Sequence, residues 1–259
     1  VACIGVFDSG LGGLTVLAAL RHTLPQVPLH YVADSAHAPY GERSADYIRA
    51  RSLALADHLV RHGAEVLVMA CNTATAHAAD AVRAAHPMVG VVGIEPGIKP
   101  AVGQSATGRI GVLATTATVR SPRFQALLQR HAPDAQVVAV AAAGVAAHIE
   151  AGDLDSPALQ RLVTEHTQPL IRAGVDTVLL GCTHYPLILP LWQQALGPQV
   201  RVLAVESAVA QQAARLWGER ASAGARLWLQ STGDPAALAR LGRLVRDALG
   251  WPAYALSAA

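Results

Sequence analysis

The sequence predicts an α/β protein made of two similar halves, each a mainly parallel sheet covered by helices on both faces. Three observations carry this. Short apolar runs such as "CIGVF", "LHYVAD", "EVLVMAC" and "VVGIE" alternate with Ala/Leu-rich helical stretches. Strands that are apolar throughout, rather than at every second residue, belong to parallel sheets buried on both faces, and the alternation with helices makes βαβ units. The plan then starts again. "RIGVLATTATVRS" (109–121) repeats the pattern of "CIGVFDSGLGG" (3–13), and "VDTVLLGCTHYP" (175–186) that of "AEVLVMACNTA" (64–74). Ile4 and Cys71 are 67 residues apart, Ile110 and Cys182 are 72, so motif and spacing agree with an internal duplication. Finally, "GIEPGIKPAVGQSATG" (93–108) is rich in Gly and Pro and reads as the linker between the halves.

In chain order, the first half reads as a strand at "CIGVF", a Gly-rich turn, a helix at "LTVLAALRHTL", a strand at "LHYVAD" and a loop at "APYGE". A helix at "DYIRARSLALADHLVRHG", a strand at "EVLVMAC", a helix at "ATAHAADAVRAAH" and a strand at "VVGIE" follow. In the second half, "VVAVAAAGVAA" (137–147) reads as a buried strand running into an Ala-rich turn or helix. It is also the longest apolar run, well short of the roughly 20 residues that span a bilayer. Residues 207–259 read as helices at "SAVAQQAARLWGERA" and "DPAALARLGRLVRDALG", with a strand at "ARLWLQST" that packs back onto the first half.

Composition narrows the function classes. The 259 residues are 52% hydrophobic and 15% charged, enough to bury a large core and too apolar for a disordered chain. Net charge is +2 with no Lys/Arg-rich run, so no nucleic-acid footprint is expected, and no membrane span is either. The opening "VACIGVFDSG" has no basic n-region or cleavage site, and the three cysteines include no CxxC. A reducing cytosol is therefore expected, without a disulfide framework.

Two cysteines carry the chemistry. Cys71 and Cys182 each end an apolar strand and stand before a helix, where parallel sheets bind ligands and where a helix N-terminus favours a thiolate. If the halves face each other, so do the thiols. Such a pair can take a proton from one face of a small molecule and return one to the other, as a two-base racemase or epimerase does. Buried core is the alternative for either cysteine alone. In "FDSGLGG" (7–13), Gly10, Gly12 and Gly13 let the backbone approach a ligand and expose N–H groups to an anion. Ser9 suits a carboxylate, and Asp8 an ammonium or the orientation of a base; capping of the next helix is compatible with both. Asn72, Thr73 and Thr183 are side-chain donors beside the thiols, with capping again the alternative. His184 is placed as an acid/base partner of Cys182; a Cys-x-His pair also suggests zinc, but no second ligand pair has metal spacing. Tyr40 and Gly41 lie in the "APYGE" loop, and Glu150 reads as a solvated helix end.

"DSGLGG", "PYG", "ACNTA" and "GCTHYP", in this order and spacing, resemble the glutamate racemase family of the cofactor-independent Asp/Glu racemase superfamily, over nearly the full chain. The resemblance implies two pseudosymmetric doubly wound domains with the active site in the interdomain cleft, residues 1–96 with 207–259 forming one and 97–206 the other. It implies Cys71 as the acid/base for D-glutamate, assisted by Asp8. Cys182 would serve L-glutamate, assisted by His184 and Glu150. Asp8, Ser9, Tyr40, Gly41, Asn72, Thr73, Thr118, Thr183 and His184 would bind substrate. It further implies no cofactor and no metal, D-glutamate supply for peptidoglycan, and a bacterial cytoplasm; a homodimer is left open. Two segments depart from the family pattern: "AAGVAAH" (142–148) before Glu150, and "VESA" (205–208).

Four other readings compete. A pyridoxal-phosphate racemase needs a Schiff-base lysine, and the one lysine, Lys99, lies in the linker. A cysteine hydrolase gives no reason for the second, similarly framed cysteine. An amino-acid-binding protein would leave both thiols idle. A sibling aspartate racemase, or a hydantoin or maleate-type isomerase, shares the chemistry and differs in substrate.

Overall fold

The computed structural model describes residues 1–220, 224–233, 236, 239, 240 and 243, and the backbone of 255–258. Among these, the strands are β1 (Cys3–Asp8), β2 (Leu29–Ala33), β3 (Ala64–Met69), β4 (Gly90–Gly93), β5 (Arg109–Ala114), β6 (Gln136–Ala141), β7 (Thr177–Gly181), β8 (Arg201–Leu203), β9 (Leu227–Ser231) and β10 (Ala255–Ala258). They form two sheets, ordered β10-β9-β2-β1-β3-β4 and β6-β5-β7-β8, with every registered pair parallel. The second order repeats the β2-β1-β3-β4 part of the first, so the sequence repeat is a repeat of topology. In each half, the chain reverses its direction of winding beside the first strand, which places a crevice at the carboxyl ends of β1 and β3, and of β5 and β7.

The strands are apolar on both faces because both are covered. Ile4, Val6, Val66 and Val68 pack with Leu17 and Leu20 of helix Leu14–Thr23 and with Val209, Ala213 and Trp217 of helix Glu206–Trp217. Phe7, Leu67 and Met69 pack on the other face with Ile48 and Leu59 of helix Ala45–Arg61 and with Ala78 and Val82 of helix Asn72–Ala85. The chain thus returns to the first half after β8 with helix Glu206–Trp217 and strand β9. The predicted helix over 234–250 lies almost wholly outside the described residues.

Two local expectations are corrected. The linker is not bare loop: Ile98–Gln104 is a helix whose Ile98 and Ala101 join Ile110 and Leu179 in the core of the second half. Pro100 is tolerated because it stands in the first turn, where its missing N–H has no helical partner to lose. Strand β6 is half-buried rather than buried, since it is the edge of its sheet. Its Ala-rich continuation is a turn at Gly144, φ 83°, into helix Val145–Glu150.

A buried carboxylate braces the "APYG" loop. Asp34, at the end of β2, accepts from the Tyr40 hydroxyl, from Arg51 Nε at 3.0 Å and Nη2 at 2.8 Å, and from Thr232 Oγ1 at 2.8 Å. Burial alone would raise its pKa, but these donors and the Arg51 charge hold it below the usual carboxylate range. A depressed carboxylate stabilises the fold above its unfolded pKa of about 3.9, and that stability is lost as pH falls through the folded value. Asp34→Asn is therefore expected to cost about 2 kcal/mol at neutral pH, with less difference from the parent in acid, read from urea midpoints across pH.

Candidate active site

The carboxyl ends of β1, β3, β5 and β7 meet at one buried cluster. Side chains alternate along a strand, so Cys71, two residues beyond Met69, emerges on the same face as Leu67 and Met69. Cys182, two beyond Leu180, emerges with Val178 and Leu180. Cys71 is 4% and Cys182 6% exposed, and the two interact electrostatically. Cys3 is also buried, but at the amino end of β1, away from the carboxyl ends of the strands, in the core shared with helix Ala45–Arg61.

Around Cys71, the sequence expectation of a helix start holds. The thiol caps helix Asn72–Ala85 and accepts from Ala74 N at 3.4 Å. It donates to Ser9 Oγ at 3.7 Å, and Ser9 donates to Asp8 Oδ1 at 3.4 Å. Asp8 Oδ2 accepts from Gly13 N at 2.7 Å, so Asp8 caps the glycine turn while facing the thiol. Burial, then the Asp8 charge, push the Cys71 thiol well above its ordinary value. Burial also raises Asp8. This pair therefore holds on to its proton.

The Cys182 side differs from expectation. A turn and the short 3-10 helix Tyr185–Ile188 follow the thiol, and the α-helix begins only at Leu189. Pro186 removes an N–H that an α-helical start would have offered. A charged imidazole takes the place of the helix terminus. Cys182 Sγ lies 3.7 Å from His184 Nδ1, and His184 Nε2 is hydrogen-bonded to Glu150 Oε1. Burial opposes the imidazolium, but the hydrogen bonds to Cys182 and Glu150 and the Glu150 charge outweigh it, so the His184 pKa lies well above the ordinary histidine value. Glu150 is correspondingly depressed, burial being overcome by His184 and the Leu11 N–H.

Glu150 is thus not a solvated helix end. Its Oε1 accepts from Leu11 N at 2.5 Å, in the glycine turn of the opposite half. The N–H expected to meet a ligand anion meets this carboxylate instead. The glycines are needed for that contact. A Cβ on Gly10 would lie 1.8 Å from Glu150 Oε1, and one on Gly12 2.4 Å from His184 Nδ1.

The remaining predicted residues are all brought into the same region. Tyr40 and Gly41 are buried, Gly41 lying against Thr115. Thr73 Oγ1 is 2.8 Å from Thr115 Oγ1 and 3.4 Å from Thr118 Oγ1, so these hydroxyls link the halves. The Thr183 carbonyl accepts from Thr15 Oγ1 at 3.5 Å. Asn72 is buried, and neither its amide nitrogen nor its oxygen has a partner. A buried amide left without a partner costs stability. Among the described residues, no three His, Cys, Asp or Glu side chains form a metal-binding group, and no helix is long and apolar enough to cross a membrane.

Against known proteins, the sequence matches the Asp/Glu/Hydantoin racemase family over residues 14–213. The chain belongs to this family. The glutamate racemase of Ectopseudomonas mendocina is 48% identical over 218 residues, 84% of this chain and 83% of that protein. Among solved structures, glutamate racemase isoform RacE1 of Bacillus anthracis superposes with a TM-score of 0.89 at 27% identity, covering 100% of this chain and 97% of that one. Escherichia coli glutamate racemase, solved with L-glutamate and the activator UDP-MurNAc-Ala, gives 0.87 at 29%, covering 100% and 99%.

In this racemase-family chain, three participants were not read from the sequence. Thr115 was legible in principle, since it stands after β5 as Ser9 stands after β1. Thr15 and Leu11 act through a backbone contact and a helix-surface hydroxyl, which no residue pattern marks.

Proposed function

We propose that the protein interconverts L- and D-glutamate by a two-base mechanism without an organic cofactor or metal, supplying D-glutamate for peptidoglycan in a bacterial cytoplasm. The observation that carries this reading is the placement of two cysteines at equivalent points of a duplicated sheet, each with its own polar assistants, in one buried cluster. One thiolate removes the α-proton and the opposite thiol delivers a proton to the other face. Cys182 acts on L-glutamate and Cys71 on D-glutamate. His184, charged and backed by Glu150, balances a thiolate at Cys182; Asp8 exchanges the proton of Cys71. Ser9, Tyr40, Gly41, Asn72, Thr73, Thr118 and Thr183 hold the substrate's ammonium and carboxylates, the free Asn72 amide being one donor for them. The domain division that goes with this mechanism is 1–96 with 207–259 against 97–206, closing on the substrate.

The direct test is circular dichroism of L- and D-glutamate, and separately of both aspartates, with purified protein and no additive. Each glutamate enantiomer should decay to zero ellipticity. Decay of aspartate alone would reassign the substrate, and no decay of either would reject the reading.

The pH profile of kcat/KM should be a bell, because one thiol must be ionised and the other protonated. Because burial raises the Cys71 thiol, the alkaline limb of the pair should lie above the ordinary cysteine value of about 8.5. The limbs belong to the coupled pair rather than to single residues. A rate that stays flat into strong alkali would rule out two thiol acid/bases.

A further inference from the structure

Both thiols are buried, so a substrate reaches them only through space between the halves. On the side of the glycine turn that space is closed by direct contact, Glu150 resting on Leu11 N and His184 on Gly12. On the other side, a cleft of about 660 Å³ runs between helix Asn72–Ala85 of the first half and helix Pro122–His131 of the second. Arg49, Arg123 and Arg130 line it together with Asp80 and Glu95, so three arginines face two carboxylates. A narrower cavity shares Thr75, Glu95 and Arg123 with the cleft and continues to Asn72 and Thr118. Its free space is about 10 Å³, barely that of one water. At the common neck, Arg123 Nε donates to Glu95 Oε1 at 2.5 Å and Arg123 Nη1 to Asp80 Oδ1 at 3.3 Å, which ties the second half to the first.

We propose that this cleft is the way in for an amino dicarboxylate and that the Arg123–Glu95 ion pair is the gate across its neck. The nature of the ligand rests on the racemase reading; the gate itself does not. An incoming carboxylate can take the place of Glu95 on Arg123, whose side chain is 28% exposed, and so open the neck while keeping the arginine paired. The free amide of Asn72 then lies next along the path.

The experiment follows alkylation of the three cysteines in the substrate-free protein by peptide mass mapping, with neutral iodoacetamide and anionic iodoacetate at one pH. The thiolate displaces iodide in each case, and no turnover is needed, so a chain inactive on glutamate would still report on the gate. Glu95→Gln should speed iodoacetamide labelling of Cys71 and Cys182 about three-fold, the weight of one partly exposed ion pair, and iodoacetate labelling more, because Arg123 is left open to anions. Arg123→Gln should speed iodoacetamide equally without favouring iodoacetate. Cys3 should stay at the parent rate in both variants. Parent-like labelling of Cys71 and Cys182 in both variants would overturn the gate. Faster labelling of Cys3 as well would also overturn it, since the variants would then be loosening the whole fold.

Discussion

Serine at position 71, or at position 182, is expected to cut racemisation of glutamate by at least about 10³-fold, within the range that a lost acid/base group accounts for. Inversion needs an acceptor on one face and a donor on the other, and a serine hydroxyl is hardly ionised near neutral pH. Each variant nevertheless keeps one thiol with its own assistants: Asp8 and Ser9 at Cys71, His184 and Glu150 at Cys182. It should still deprotonate the enantiomer which that thiol faces. With an amino acid bearing a good β-leaving group, loss of the α-proton is followed by departure of that group, so single-base activity appears as elimination. Cys71→Ser should eliminate from the L-enantiomer only and Cys182→Ser from the D-enantiomer only. A nucleophilic cysteine hydrolase would show no such mirror pair. Racemisation near the parent rate in either variant would end the two-base reading.

Gly10→Ala is expected to lower kcat/KM by about 10²-fold, the cost of displacing a catalytic group by roughly 1 Å. The added methyl would sit 1.8 Å from Glu150 Oε1, so the carboxylate must leave its seat on Leu11 N or the turn must move. If the carboxylate is displaced, His184 loses the partner that holds it charged; if the turn moves, Glu150 loses the Leu11 N–H that helps hold it in place. Glu150→Ala makes room for the methyl but loses the same partner. The double variant should therefore be no slower than Glu150→Ala alone, and that non-additivity separates a clash at this contact from general damage to the turn. An additive double variant would mean that Gly10 matters for another reason.

What could be read from the chain beforehand follows from what is local. The parallel strands, both cysteine positions and the repeat were legible because burial on two faces leaves continuous apolar runs, and because β3 and β7 end in the same kind of polar break. The contact between Leu11 and Glu150 spans 139 residues and is made by a main-chain N–H, which has no signature in residue type. By residue type alone Glu150 therefore reads as a solvated helix end, and only the family resemblance marks it. The strand-end pattern predicts a helix terminus at Cys182 as at Cys71; there the α-helix begins only at Leu189, and the His184 charge stands in. The Arg123 bridge is hidden for a related reason, since it joins a helix of the second half to Glu95, in the loop after β4, and to Asp80 of the first half, 28 and 43 residues away in the chain.

The two thiols sit in unequal surroundings, one beside a carboxylate and the other beside a charged imidazole. Mirror-image substrates have equal free energy in water, so the equilibrium constant of the reaction is one whatever the protein does. The Haldane relation then requires kcat/KM to be identical for the two enantiomers. The lopsided electrostatics cannot make the enzyme a better catalyst in one direction at low substrate. They can only move kcat and KM together, so that the enantiomer with the lower KM also turns over more slowly at saturation.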